Sequence, residues 1–493
     1  MKFKIIAIAF FCALFLKTAT AQSPITLTID PNVSGMPIPP DFTGLSFETG
    51  ALRYNNYRTD GYLFDSSNTQ FLTLFKNLGI NSLRIGGNSV DRGSALTTND
   101  LDAFFRFVKA GDLKVIYSLR LANGNADEDA SIAKYIWGKY RPYLICLAIG
   151  NEANSYNGLD PEMTNSATFI AKWNKFASAV TSAVPDVVLG GPDNGNGSFA
   201  WASDFARAER GNKNLACIFS HYEPGGPGKY KTTAQLVNEM LSPAIDDKRC
   251  PDCYEKLGVM ARSLGFSYRF TEANTQVAPP LPSMHVPMTR QDEEAARRVK
   301  AADLPSGNHT FSTALFALDF MHWWAAHGCL SVHFHTGLKG FNAGLHLGTN
   351  GDYEPYPISY GIAAFSIGGH GSADSMAIKN PDNVDLTAYA VTDTNNNLFV
   401  TIINKEHGTN ARNATVTINA CGKSAGVIYL KAPNDDVTET SGVTLGGSTI
   451  DDSSPWQGKW DSLDSTGTAG CDVNVETSSA AIVKITGAKV IEK

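Results

Sequence analysis

The 493-residue sequence predicts an α/β fold, a (β/α)8 TIM barrel followed by a C-terminal antiparallel β-sandwich. Three observations carry this. Eight short apolar runs, rich in β-branched or aromatic residues and bounded by Gly, Asn or Pro, alternate with stretches of helical periodicity, as buried parallel strands do in βα units. No Gly-x-Gly-x-x-Gly follows the first run: Gly86-Gly87 and Gly190-Gly191 do not match the fingerprint of a doubly wound dinucleotide-binding sheet. After about Gly371 the texture changes to alternating runs separated by Asn, Gly and Asp turns, the pattern of half-buried antiparallel strands.

The elements follow in order. Lys2 and Lys4, the 12 apolar residues 5–16 and Ala19-Thr20-Ala21 form the three zones of a signal peptide, expected over 1–21. Twelve residues are too few to span a bilayer, so the expected product is secreted or periplasmic, without a membrane span. The alternating segment 25–29, within 22–40, is expected to lend a strand to the sandwich. The barrel is expected over 41–370, its strands centred on runs 42–47, 80–85, 114–119, 143–149, 187–189, 216–220, 266–271 and 330–334. Between them, Phe71, Leu74, Phe75 and Leu78 make one helical stripe ended by Gly79. Phe169, Ile170, Trp173, Phe176, Ala177 and Val180 make another, ended before Pro185. The insertion 277–306 leaves the carboxyl end of the seventh run, the active-site face of a barrel. It reads equally as a roof over the site or a solvated excursion. The sandwich is expected over 371–493.

Composition excludes several classes. Hydrophobic residues are 43% and charged residues 18%, enough apolar material for large cores and unlike a disordered chain. The net charge of −7 lacks the basic excess of a protein that neutralises phosphates, so no nucleic-acid partner is expected. Eight cysteines less Cys12 of the leader leave seven. Cys146, Cys217 and Cys329 lie in or beside apolar runs and read as buried thiols. Cys250-Pro-Asp-Cys253 reads as half a zinc knuckle, a redox pair or a local disulfide. No second Cys-x-x-Cys or His pair stands at zinc spacing, which favours the disulfide. Cys421 and Cys471 share the β-rich region and are expected to pair. Neither a metal nor a cofactor is expected.

The chemistry gathers just past the runs. Gly150-Asn151-Glu152-Ala153-Asn154 follows the fourth, and Thr271-Glu272-Ala273-Asn274 ends the seventh. In a barrel both carboxylates point into one mouth. Two facing carboxylates are the minimum apparatus of glycoside hydrolysis, one protonating the leaving oxygen and one attacking carbon or activating water. The bland alternative is that each Glu caps a helix or pairs with Arg84. His333 and His335 alternate along one run and invite a metal, but no third ligand at matching spacing accompanies them. Trp323-Trp324 reads as packing.

These stretches, with Gly44-Leu45-Ser46-Phe47-Glu48, Leu83-Arg84-Ile85-Gly86-Gly87-Asn88, Ser220-His221-Tyr222 and Val332-His333-Phe334-His335, resemble glycoside hydrolase family 79, the β-glucuronidase and heparanase family of the retaining (β/α)8 clan. The 120 residues from Glu152 to Glu272 are similar to that family's spacing. The resemblance implies Glu152 as general acid/base and Glu272 as nucleophile. It implies that Asn151 binds the sugar 2-hydroxyl, that Tyr222 hydrogen-bonds Glu272, and that Glu48 and Asn88 bind sugar hydroxyls. Arg84, His221 and His335 are expected to stand behind the residues that touch the sugar. The substrate implied is a β-glucuronide-bearing glycan or glycoside. Its carboxylate is expected to meet donors in the loops after the seventh and eighth runs: backbone N–H groups just after Gln276, and Lys339, Tyr353 or Tyr356. The family often has a Tyr in the last of these loops, where this chain has Phe341. The other readings are a retaining exo-β-glycosidase acting on a neutral sugar and a non-catalytic carbohydrate-binding protein.

Overall fold

Eight parallel strands close into a barrel in the order β8-β1-β2-β3-β4-β5-β6-β7. They are β1 (Thr43–Glu48), β2 (Ser82–Gly86), β3 (Lys114–Leu119), β4 (Leu144–Ile149), β5 (Leu189–Asn194), β6 (Leu215–Tyr222), β7 (Ser267–Ala273) and β8 (Val332–Thr336). The computed structural model describes residues 23–30, 33, 35–57, 61–156, 158–225, 232–275, 309–338, 343–463 and 470–490. The leader, Gln276, the insertion 277–306, Lys339 and Phe341 lie outside the described residues.

The strands form because their residues are apolar on both faces, one turned to the barrel interior and the other to the surrounding helices. Helices follow the strands with recognisable starts and stops. Asn68 accepts from the Phe71 N–H at the head of helix Thr69–Asn77, and Thr97 with Asp100 closes a capping box on Thr98–Ala110. The helix before β8, Ser312–Ala326, is buried along almost its whole length, with Trp324 fully inside. Burial of a side chain of that size contributes about 2–3 kcal/mol. Trp323 and Trp324 thus pack the wall of the barrel.

β5 runs further than its apolar residues do. It continues from Leu189 through Gly190, Gly191, Pro192, Asp193 and Asn194, all buried. Gly190 is required there, because a Cβ would come within 2.1 Å of the Phe219 ring on the neighbouring strand.

The C-terminal residues form an eight-stranded sheet and a four-stranded sheet, dominated by antiparallel pairs. The N-terminal strand Ile25–Ile29 lies in the smaller sheet, parallel to Ala414–Ile418 and antiparallel to Met376–Lys379. The β-domain is tied to the barrel by Lys405, whose buried ammonium bonds Asp246 and, at 3.0 Å, Asp319. Tyr389 donates to the same Asp319 at 2.6 Å.

The cysteine pairings are corrected. Cys250, Cys253, Cys421 and Cys471 are all free thiols. Cys250 and Cys253 sit within continuous helix rather than a loop and face the core, where burial pushes both thiols well above their ordinary range. Cys421 stands opposite Lys489 and Cys471 opposite Ile418, so the two belong to different strand pairs. Cys146, Cys217 and Cys329 are buried free thiols. Among the described residues no helix is long and apolar enough to cross a membrane.

Candidate active site

The carboxyl ends of the strands converge on one buried cation. Arg84 of β2 has no exposed surface and donates in several directions. Its Nη1 reaches Glu272 Oε2 at 3.0 Å and Ser46 Oγ at 3.2 Å. Its Nη2 reaches Asn151 Oδ1 at 2.6 Å and pairs with Asp193 Oδ2. The planar guanidinium fork suits this divided task, which a point charge on a lysine would not perform.

Glu272 owes its aim to a strand irregularity. The register of β6 against β7 runs Ser220 opposite Phe270, then His221 opposite Glu272, so Thr271 is an extra residue on β7. Such a bulge re-aims side chains beside active sites. Here both Thr271 and Glu272 face the mouth: the Thr271 hydroxyl donates to Asp193 Oδ1 and Glu272 meets Arg84. Burial pushes the Glu272 carboxyl up, but the charges of His335, His221 and Arg84 outweigh it and hold it below its ordinary value.

Glu152 is placed by a turn in the left-handed region. After β4, Gly150 has φ +84° and Glu152 φ +49°. A non-glycine residue held there costs of the order of 1–2 kcal/mol. The Glu152 N–H donates to the Asp193 carbonyl at 2.9 Å, and Asp193 itself has φ +59°. The Asn151 N–H is held by buried Asp91 at 3.0 Å, which also accepts from Tyr156 at 2.5 Å and from the N–H groups of Leu121 and Ala122 at 2.8 Å each. Asp91 thus braces the turns after β3 and β4.

His221 bridges the two glutamates. Its Nδ1 lies 2.8 Å from Glu152 Oε1 and 3.8 Å from Glu272 Oε2, and its Nε2 lies 3.3 Å from Asp193 Oδ1. Both ring nitrogens therefore face carboxylates, the pattern of an imidazolium. Burial lowers its proton affinity, but Glu272 and Asp193 outweigh that and the ring is pushed up to about 10 from 6.5. A group raised in the folded state stabilises fully below its unfolded value and loses that contribution as pH rises through the folded one. His221 is thus expected to add stability undiminished below pH about 6.5 and to lose it towards pH about 10. Urea denaturation from pH 6 to 10 should show His221→Gln flattening the alkaline decline of the wild type. An unchanged slope would remove the charged ring.

The ligand atoms of Glu152, His221 and Glu272 all lie within 4.8 Å of one another, a cluster of the size a divalent cation occupies. Metal ligation needs a neutral imidazole, whereas this one is charged and Arg84 already neutralises Glu272. The donor set fits a proton-handling site.

The remaining expected residues are placed as follows. Asn151 is buried with its Oδ1 taken by Arg84, which leaves its amide N–H groups as donors. Glu48 accepts from the N–H groups of Asn88 at 3.1 Å and Ser89 at 2.7 Å. Gly87 permits this, because a Cβ there would come within 2.6 Å of the Glu48 carboxyl. Asn88 contributes this backbone contact. His335 Nδ1 is 3.5 Å from Glu272 Oε2 and 3.2 Å from Ser46 Oγ, and its Nε2 is 3.9 Å from Glu48 Oε1. His333 is buried below, bonded to Ser82 Oγ at 3.0 Å, and burial holds its ring down at about 3.

Tyr222 is a correction. It does not bond Glu272: with His221 facing the mouth, strand alternation turns Tyr222 outward. Its hydroxyl donates to the Arg249 carbonyl at 2.8 Å, and its ring lies 5.6 Å from Phe270. Tyr356 stacks on His309 at 3.8 Å and lies 4.4 Å from His346, beside a cavity of about 390 Å³ between the loop after β8 and residues 440–453. Sequence reasoning missed Asp193 and Asp91. Asp193 follows Gly-Gly-Pro, which reads as a turn, and Asp91 carries no motif.

Residues 388–482 match the glycosyl hydrolase family 79 C-terminal β domain. Among solved structures, the chain is similar to a 4-O-α-L-rhamnosyl-β-D-glucuronidase from Fusarium oxysporum 12S (18% identity, TM-score 0.68, covering 93% of this chain and 100% of that one). It is also similar to an α-L-arabinofuranosidase from Thermotoga maritima (13%, 0.67, 94% and 99%) and to the family 51 arabinofuranosidase of Xanthomonas axonopodis pv. citri (11%, 0.66, 94% and 100%). At these identities the likeness speaks to the fold. No curated protein matches the chain. The resemblance to glycoside hydrolase family 79 is therefore carried by the C-terminal β domain, and the barrel that precedes it shares its fold with solved glycoside hydrolases.

Proposed function

We propose that the protein is a retaining β-glycosidase that cleaves β-glucuronides by double displacement. One observation carries this reading: carboxylate oxygens of Glu152 and Glu272 lie within 4.8 Å of each other. Retaining enzymes hold the pair about 5–5.5 Å apart, whereas inverting enzymes leave about 6.5–9.5 Å for a water.

Arg84, His221 and His335 all gather on Oε2 of Glu272, which leaves Oε1 to attack the anomeric carbon. As the bond to the leaving oxygen breaks, Glu152 delivers its proton there. The new Glu152 carboxylate is already paired with His221 Nδ1 at 2.8 Å. Glu152 then takes a proton from water, the hydroxide oxygen attacks the same carbon, and Glu272 is released. The amide of Asn151 donates to the sugar 2-hydroxyl, and Glu48 accepts from a hydroxyl on the opposite wall.

The glucuronide part rests on the family-79 domain and on the rhamnosyl-glucuronidase whose fold the chain shares. Export rests on the leader pattern of residues 1–21. A site that hydrogen-bonds a sugar carboxylate rejects the analogue lacking it by about 10⁴-fold. 4-Nitrophenyl β-glucuronide should therefore be hydrolysed far faster than the β-glucoside, with β-glucuronic acid as the first product by NMR. Comparable rates, or a preference for the glucoside, would replace the glucuronide with a neutral sugar. An α-anomer as first product would replace retention with inversion.

A further inference from the structure

Glu223 is a third carboxyl at the mouth, and neither the two-carboxylate mechanism nor the sugar contacts above use it. It directly follows β6, two residues beyond His221, so strand alternation turns it to the same side as that bridging ring and away from Tyr222. Its carboxyl senses Glu272, Glu152 and His221, the three groups at the centre of the site.

The backbone around it is pinned. The Glu223 N–H donates to Asn196 Oδ1 at 3.1 Å, and Asn196 Nδ2 donates back to the Glu223 carbonyl at 3.2 Å. Arg249 Nη1 holds the Pro224 carbonyl at 2.6 Å, and the Gly225 N–H holds the Thr275 carbonyl at 2.9 Å. The turn after β6 is thus bolted to the loops after β5 and β7. A carboxyl placed this rigidly beside two others, with no lysine or arginine of the described residues among the charges it senses, is not there for solubility.

Barrel order says which part of a substrate it meets. Glu48 stands at the end of β1, between β8 and β2, and the proposed mechanism assigns it a hydroxyl of the cleaved sugar. Glu223 stands on the opposite arc, between Glu152 of the β4 turn and Glu272 of β7. In the proposed mechanism the leaving group departs past Glu152, which belongs to this arc. We infer that Glu223 is a specificity-determining residue of the leaving-group subsite, where its carboxyl hydrogen-bonds a hydroxyl of a leaving sugar. This rests on the assignment of Glu152 and Glu272 as the catalytic pair, but not on the identity of the cleaved sugar.

The charge state suits the role. Burial, then Glu272 and Glu152, push the Glu223 carboxyl well above the usual range. The shift favours the protonated form, which offers one donor and acceptor capacity and does not repel the two catalytic groups.

The test compares kcat/KM on 4-nitrophenyl β-glucuronide, whose leaving group has no hydroxyl to read, with that on a β-glucuronosyl disaccharide. The matched glucoside pair replaces them if the wild type proves to cleave glucosides. Glu223→Ala should lose about 10- to 100-fold more on the disaccharide than on the aryl glycoside. Glu223→Gln, which keeps a donor and an acceptor, should restore most of that difference. Equal losses on both substrates, or no added loss on the disaccharide, would overturn the proposal. So would a Gln variant as impaired as the Ala variant, because charge rather than hydrogen bonding would then be at work. A wild type inert on all four substrates would bring down the catalytic assignment and this inference with it.

Discussion

Glu272→Gln is expected to lower kcat/KM by about 10⁴-fold or more while the protein stays folded, because no other group can form the glycosyl bond. The neutral isostere keeps the volume and an acceptor for Arg84, so circular dichroism and the urea midpoint should stay close to wild type. Glu152→Ala should behave differently. It should lose about 10²- to 10⁴-fold on glycosides with poor leaving groups and much less on 2,4-dinitrophenyl glycosides, whose oxygen departs without a proton. Azide should then attack the exposed glycosyl-enzyme and give a β-glycosyl azide. The contrast matters because both side chains touch the same His221 nitrogen, so simple disruption of the network would lower the two variants alike on every substrate. Near wild-type turnover in Glu272→Gln would dismiss the nucleophile, and uniform losses in Glu152→Ala would dismiss the acid.

Arg84→Met is expected to be the most damaging change to stability. The substitution removes one buried cation and leaves Asp193, which has no exposed surface, and Glu272 without their shared partner. Breaking a buried pair by deleting one partner costs about 3–5 kcal/mol, since the remaining charge stays desolvated. Urea denaturation at pH 7 should show a loss of that size. Activity should report the same event separately. Burial raises Glu272, and Arg84 is one of three charges that bring it below its ordinary value, alongside His335 and His221. A depressed carboxylate stays ionised down to lower pH, so the acidic limb of the kcat/KM profile should move to higher pH in Arg84→Met. Arg84→Lys should recover part of the stability, because one ammonium cannot serve the Asp193 and Glu272 sides together with Asn151. A variant with unchanged stability and an unmoved acidic limb would contradict the central place given to Arg84.

The buried charges explain one another. Arg84, Asp193, His221 and Glu272 form an alternating set in which each cation meets carboxylates and each carboxylate meets a cation. Buried charges are tolerated in such sets because pairing and hydrogen bonds offset the desolvation that each would face alone. The useful consequence is that these charges favour the anionic form of Glu272 at the barrel mouth.

What the sequence by itself determined is the part governed by period and by local chemistry. Eight apolar runs with helical stretches between them specify parallel strands covered by helices, and the alternating runs after Gly371 specify the β-domain. The placement of Glu152 and Glu272 at the barrel mouth is legible because an acid at the carboxyl end of a buried strand has no use in solvation. Gly86-Gly87-Asn88 entered only as part of the family resemblance, and its purpose, to present two N–H groups to Glu48, follows from the close approach at Gly87. Tertiary structure alone decided which side each residue faces at a strand end. One extra residue on β7 set Thr271 and Glu272 on the same side, matched His221 with Glu272 and turned Tyr222 into the wall. Register depends on the neighbouring strand, so a residue's own sequence cannot announce it. Asp193 was hidden for a related reason: Gly190, Gly191 and Pro192 read locally as a turn, yet between two strands of a closed barrel the backbone is held extended by its neighbours. The thiols make the same point. Cys250 and Cys253 are neighbours in sequence, but the helix that carries them is fixed by core burial, and that burial leaves them as packing groups.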